Sequence, residues 1–244
     1  FSGDVVFKMK NVAKGYGDRM LFSDVELNVE GGERIALLGD NGTGKSTFLK
    51  LLAGVEEPDT GRIIKGREVR LAYLPQNPEF SDEKTLLENV TEGLIHPEEY
   101  RDIAGEAKAM LKKLGIFETE GKPSTLSGGQ RKRAALVRTL LMPAEVYVLD
   151  EPTNHLDLKN VEWLEGYINA FKGTVLAISH DRYFLDKVTN KTLSIEHHRA
   201  KLYRGNYTKS MEQRRIDREI AEKHWKNQQK EIARQEAYIA QQRA

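Results

Sequence analysis

The sequence predicts an α/β fold interrupted by a helical block and followed by one long helix. Three observations predict it. Strand-like apolar runs alternate with helical spacing over residues 4–76 and again over 146–203. Between them, from about 77 to 143, the strand signal vanishes and helical spacing takes over. From Met211 to Ala244 there is neither Gly nor Pro, and Glu, Lys, Arg, Gln and Ala dominate. The expected units are an α/β core of 1–76 with 144–204, a helical subdomain of 77–143, and an extended helix over 205–244.

Residues 4–12 alternate as a strand, 15–18 read as a turn, and 21–30 alternate again up to Gly31-Gly32. The run 34–38 is apolar throughout, as a buried strand would be, and 47–53 has helical spacing. A turn at 58–61 leads to short strands at 62–65 and 69–74, and an antiparallel β subdomain is expected beside the α/β core. Helices are expected at 85–94, 98–114 and 130–141. The β/α pattern then resumes with strand 146–149, helix 158–171, strand 174–179, helix 182–188 and a strand pair at 191–196 and 201–203.

With 244 residues the chain has room for one large α/β domain, or a core with a subdomain. The formal net charge of +1 means that any basic binding surface must be local. There is no Cys, which excludes disulfides and thiolate metal sites and suits a reducing compartment, here expected to be the cytoplasm. No apolar run approaches the ~20 residues of a membrane-spanning helix, and no signal-peptide pattern is present. The start at Phe1, directly before a strand-like segment, reads as a fragment boundary.

The chemistry concentrates in Gly39-Asp40-Asn41-Gly42-Thr43-Gly44-Lys45-Ser46-Thr47, which matches G-x-x-x-x-G-K-[ST] at every fixed position. Its glycines let the backbone aim N–H groups at phosphate oxygens, and the following helix adds its dipole. Lys45 is placed to meet the β- and γ-phosphates, and the Ser46 hydroxyl to meet Mg²⁺. Asp150 and Glu151 end an apolar strand, where Asp150 can orient the metal and Glu151 can polarise a water. A strand-end acidic pair alone also fits plain solvation. Leu126-Ser127-Gly128-Gly129-Gln130 opens a second helix and offers a second anion-binding N-terminus, although simple capping explains it equally well. One chain cannot readily bring both loops to the same γ-phosphate, which implies a second copy of such a domain.

With these three stretches together, residues 4 to about 204 resemble the ATP-binding cassette (ABC) family of P-loop ATPases. The resemblance implies ATP and Mg²⁺ as ligands, Tyr16 stacking on adenine, and Gln76 sensing Mg²⁺ and water. It also implies that residues 154–157, ending at Asp157, cross a head-to-tail dimer, and that His180 contacts the γ-phosphate. Gly39 to Thr47 would cradle the nucleotide, while Ser127, Gly128, Gly129 and Gln130 would complete the partner's site. Tyr16, Gln76 and His180 each keep a plainer reading as an ordinary loop or turn residue. His96, His197, His198 and His224 are expected to be satisfied by neighbouring backbone.

The stretches Glu151-Pro152-Thr153-Asn154-His155-Leu156-Asp157 and Ile178-Ser179-His180-Asp181-Arg182-Tyr183 look like those of the ABC-F group, tandem-cassette proteins that act on ribosomes. Tyr203-Arg204-Gly205-Asn206-Tyr207 before a charged helix resembles the exit to that group's interdomain linker, which reaches toward tRNA. By that likeness the chain is an N-terminal cassette plus the start of the linker. The transporter motor and the non-hydrolysing ATP clamp stay open as rivals. A long terminal helix is unusual for the first, and a full acid at Glu151 for the second. Trp225, Ile232 and Ile239 recur every seven residues, which suits either one strand of a coiled coil or a solvated helix capping the domain. The nine Lys and Arg from Lys209 to Arg243 outnumber the acids among them, a basis for RNA contact or for a salt-bridged solvated helix.

Overall fold

The computed structural model describes residues 5–94 and 102–242, with side chains up to residue 235. His96 and Arg243, and the side chains of Glu236 and Ile239, lie outside the described residues. In chain order the first elements are β1 (Val5–Tyr16), β2 (Arg19–Glu30), β3 (Arg34–Leu38), α1 (Lys45–Ala53), β4 (Thr60–Lys65) and β5 (Leu71–Leu74). The helical block holds α2 (Leu86–Thr91), α3 (Ile103–Lys113) and α4 (Gly128–Leu141). There follow β6 (Val146–Asp150), α5 (Leu158–Ala170), β7 (Thr174–Ile178), α6 (Arg182–Val188), β8 (Lys191–Glu196), β9 (Arg199–Arg204) and α7 (Tyr207–Gln242).

Two sheets result. β2-β1-β4 form a small antiparallel sheet, and the main sheet runs β5-β6-β7-β3-β8-β9. Its first five strands are parallel, while β9 returns antiparallel to β8. The period-2 alternation of a strand sorts its residues between two cores. Ile35, Leu37, Val146, Val148, Leu176 and Ile178 pack with α1 and the small sheet. Ala36, Tyr147, Leu149, Val175 and Ala177 face α2 to α6 instead. With both faces covered, β6 and β7 are buried at all five positions, which is why their sequences read as continuous apolar runs. Phe48 anchors α1 edge-on against Phe22, ring centroids 5.6 Å apart, and is fully buried. Losing that ring would cost about 3–5 kcal/mol and loosen the helix that carries the phosphate loop.

Several element ends move from their expected places. The turn at 15–18 contracts to Gly17-Asp18 because Gly15 and Tyr16 stay paired with β2, Tyr16 facing Arg19. The helix expected over 85–94 ends at Thr91, after a capping box in which Thr85 and Glu88 satisfy each other's amides. That expected over 98–114 is described from Ile103, where Asp102 caps it by accepting from the Gly105 amide at 2.8 Å. Strand 69–74 shortens to β5, and β9 starts two residues early. His197 and His198 form its hairpin turn with φ 47 and 64, a two-residue turn that glycine or asparagine would usually supply.

The last helix begins at Tyr207, four residues before the compositional boundary, because Asn206 caps it toward the Lys209 amide. Its first turns dock on the core. Ser210 is buried, Asp186 takes the Thr208 amide at 2.7 Å and the Thr208 hydroxyl, and Glu196 receives both Arg214 and Arg218. From Arg218 to Gln235 every residue is exposed, Trp225 and Ile232 included. The first three turns pack on the core, and Trp225 and Ile232 beyond them face solvent in the single chain.

Candidate functional site

The loop between β3 and α1 takes its shape from glycine. Gly44 caps α1 at φ 97, where a Cβ would meet Leu21 Cβ at 3.0 Å. No side chain caps this helix, so its leading amides are left for a ligand. Lys45 folds back so that its Nζ donates to the Gly39 carbonyl at 2.7 Å and the Asp40 carbonyl at 2.9 Å. Burial pulls its ammonium below the ordinary value, against the opposing fields of Glu151, Asp40 and Asp150. In front of the loop lies an open cavity of about 430 Å³. It gathers Tyr16, Asn41, Gly42, Gly44, Lys45, Ser46 and Thr47 with Gln76, Asp150, Glu151 and His180. Tyr16 is half exposed at the rim, its hydroxyl bound to Glu56 at 2.5 Å.

The two acids leave β6 into this cavity, both nearly fully buried. Desolvation pushes the Asp150 carboxyl upward, with the Ser46 hydroxyl and then Lys132 and Lys45 pulling it back. Its Oδ2 is buried without a hydrogen-bond partner. A buried carboxylate oxygen left unpaired beside a serine hydroxyl fits a hard divalent cation such as Mg²⁺. Glu151 is likewise raised by burial, opposed first by His180. The His180 amide donates to Glu151 Oε2 at 3.2 Å, and its ring Nε2 lies 3.4 Å from Oε1. Glu151 also holds left-handed backbone, φ 55, which is rare for a residue with a side chain.

The other expected group is elsewhere. Ser127, Gly128, Gly129, Gln130 and Asp157 do not line the cavity. Ser127 and Gln130 close a capping box on α4, each side chain accepting from the other's amide at 3.2 and 2.9 Å. Gly129 sits under the His155 ring, where a Cβ would lie 3.2 Å away. Asp157 caps α5 through the Asn160 amide at 2.8 Å. Gly39 lines a smaller cavity behind the loop, and the Thr43 hydroxyl donates to the Asp40 carbonyl at 3.0 Å within the loop itself. Of the plain histidines, His198 lies with Nδ1 3.3 Å from the Leu21 carbonyl, whereas His224 stands on the exposed part of α7.

Two residues near the site escaped the sequence reading. Arg19 reaches across from β2 and donates to the Gly42 carbonyl at 2.8 Å. Its strand pairing with Tyr16 was the available signal, hidden by the misplaced turn. Lys132 of α4 is 6% exposed and donates to the carbonyls of Gln76 and Asp150 at 2.9 and 3.0 Å. Amid Arg131 and Arg133 it reads as one more solvated cation.

A protein-family model described as ABC transporter matches residues 22–154, and a second with the same description matches 193–244. The chain is 37% identical over 266 residues to the uncharacterized ABC transporter ATP-binding protein YfmR of Bacillus subtilis, covering 94% of this chain and 41% of that protein. It is 42% identical over 216 residues to ABC transporter F family member 5 of Arabidopsis thaliana, covering 86% and 30%. It is 32% identical over 246 residues to the energy-dependent translational throttle protein EttA of Mycobacterium tuberculosis, covering 86% and 44%. The chain thus spans less than half the length of each of these relatives. Among solved structures, the ATP-binding subunit of an ABC transporter superposes with TM-score 0.71 at 24% identity, covering 83% of this chain and 90% of the other. A dimeric ATP-binding cassette in a post-hydrolysis state, bound to ADP and phosphate, gives 0.67 at 26%, covering 81% and 98%. A phosphate loop, a strand-end acid pair and a separate Ser-Gly-Gly helix start on this sheet, matched over more than half the chain, place it in the ABC transporter family as an ATP-binding domain.

Proposed function

We propose that this chain is an ATP-hydrolysing cassette that closes head to tail on a second cassette and couples its nucleotide state to the ribosome in the cytoplasm. The observation that carries the reading is the split of the site. The loop, Gln76, Asp150, Glu151 and His180 share one cavity, while Ser127 to Gln130 sit outside it and are free to serve a neighbour. Lys45 and the loop amides hold the β- and γ-phosphates, and Tyr16 offers its ring to the base. Ser46, Gln76 and Asp150 would hold Mg²⁺, which supplies charge neutralisation on the phosphate oxygens. Glu151, raised by burial and steered by the His180 amide, orients the attacking water and accepts its proton. His180 reaches the γ-phosphate from the rim. Positioning and charge stabilisation do the work, so a lone cassette turns over slowly.

The ribosomal part rests on the EttA and F-family relatives and on α7, whose exposed outer part carries cations that can meet RNA phosphates. The competing motor role is supported by relatives named as transporter ATP-binding proteins. Co-sedimentation of the full-length protein with ribosomes separates the two. ATP with Glu151→Gln is expected to trap the ribosome-bound form; no nucleotide-dependent association under any condition sinks the translation reading. The same variant should bind ATP yet lose about 10²- to 10⁴-fold in turnover, the range of a lost general base. Near-normal hydrolysis would remove Glu151 from that role.

A further inference from the structure

Glu151 needs its unusual backbone held in place. A left-handed φ on a side-chain-bearing residue costs on the order of 1–3 kcal/mol and persists where the surroundings over-determine it. The peptide leading into Glu151 is gripped at both ends. Its N–H donates to the Ile178 carbonyl at 2.9 Å, and its carbonyl, on Asp150, accepts from Lys132 Nζ at 3.0 Å. The same ammonium donates to the Gln76 carbonyl at 2.9 Å and approaches that of Pro75 at 3.4 Å. An ammonium has three donors, and here three backbone carbonyls receive them. Lys132 does not line the nucleotide cavity, so its charge is spent inside the protein.

A buried ammonium is an expensive way to fill that volume. Methionine would occupy it without desolvating a charge, so the cation is there for what it ties together. It ties three things: the strand end carrying both acids, the loop carrying Gln76, and α4. On α4 it lies within two turns of the Ser127–Gln130 box.

We propose that Lys132 is a positioning residue for hydrolysis. It pins the Asp150–Glu151 peptide and the Gln76 backbone to α4, and thereby aims the Glu151 carboxylate. The inference rests on Glu151 as the base that directs water. Because α4 also presents Ser127 to Gln130, movement of that helix against a neighbouring cassette is transmitted through Lys132 to this chain's own acids.

The test uses Lys132→Met and Lys132→Gln in the full-length protein, each alone and in the Glu151→Gln background. Turnover is expected to fall about 10- to 100-fold, the scale of a misplaced catalytic group, with ATP affinity and KM within threefold of the parent. In the Glu151→Gln background the Lys132 change should remove no further activity, since it acts through that side chain. Three outcomes overturn the proposal: unchanged turnover in folded variants, turnover and ATP affinity falling by the same factor, or both variants failing to fold. Glu151→Gln alone tests the base assignment separately. If that variant still hydrolyses ATP, the functional reading fails whatever Lys132 does.

Discussion

Two helix starts in this molecule look alike on paper and are built differently. Glycines lie at both starts, before α1 and in the first turn of α4, and both N-termini are suited to an anion. At α1 the cap is Gly44 with no side chain to offer, and the leading amides face a cavity lined by Lys45, Ser46 and two buried acids. At α4 the cap is Ser127, locked with Gln130 in a reciprocal box, and neither it nor Gly128 nor Gly129 lines the nucleotide cavity. The first is an open socket. The second is a rigid, self-satisfied surface that presents Gly128 outward while His155 covers Gly129, suited to complete a site it does not form alone.

The strongest challenge to this contrast is Lys45→Met. It removes a charge whose hydrogen bonds to phosphate are worth about 1.5–3 kcal/mol, so ATP affinity should fall roughly 10- to 100-fold in an equilibrium titration. Unchanged affinity would mean that the socket is not the phosphate site. Next is Gly44→Ala, which combines left-handed φ with a 3.0 Å contact on Leu21. It should cost about 1–3 kcal/mol of stability and weaken ATP binding in the same preparation. Ser127→Ala is expected to cost about 1 kcal/mol, a fall of roughly 2–4 °C in Tm, while leaving this chain's ATP affinity intact. A loss of ATP affinity in Ser127→Ala would erase the distinction between the two starts.

The smallest effect is on pH. Burial raises the folded-state values of Asp150 and Glu151 above those of an unfolded carboxyl. The folded chain therefore holds these protons more tightly. The stability this gives is present below the unfolded value and is lost as pH rises through the folded one. Turnover runs the other way, because the base must be ionised, so its acid limb should lie above the ordinary carboxylate range. Glu151→Gln should reduce the stability slope, measured by denaturant unfolding from pH 4 to 8. A slope unchanged by that variant would place the proton elsewhere.

By itself the sequence determined what local pattern can encode. Lys45 and Ser46 follow from a spacing the backbone must obey, and Asp150 and Glu151 follow from an apolar run that stops at two acids. The continuous apolar runs at β6 and β7 could be read as strands, but that both faces of the sheet are covered is seen only in the fold. Cross-chain geometry decided the rest. Arg19 enters the loop through a hairpin register, and a turn drawn two residues too wide conceals it. The three carbonyls on Lys132 come from β6 and from the loop after β5, 18 to 57 residues away in the chain. Composition marked the last helix from Met211, whereas docking of Thr208, Arg214 and Arg218 on Asp186 and Glu196 fixes its start and its anchored turns. Neighbours along a chain share a spacing that can be read. Neighbours across a fold share only a place, and packing alone brings them there.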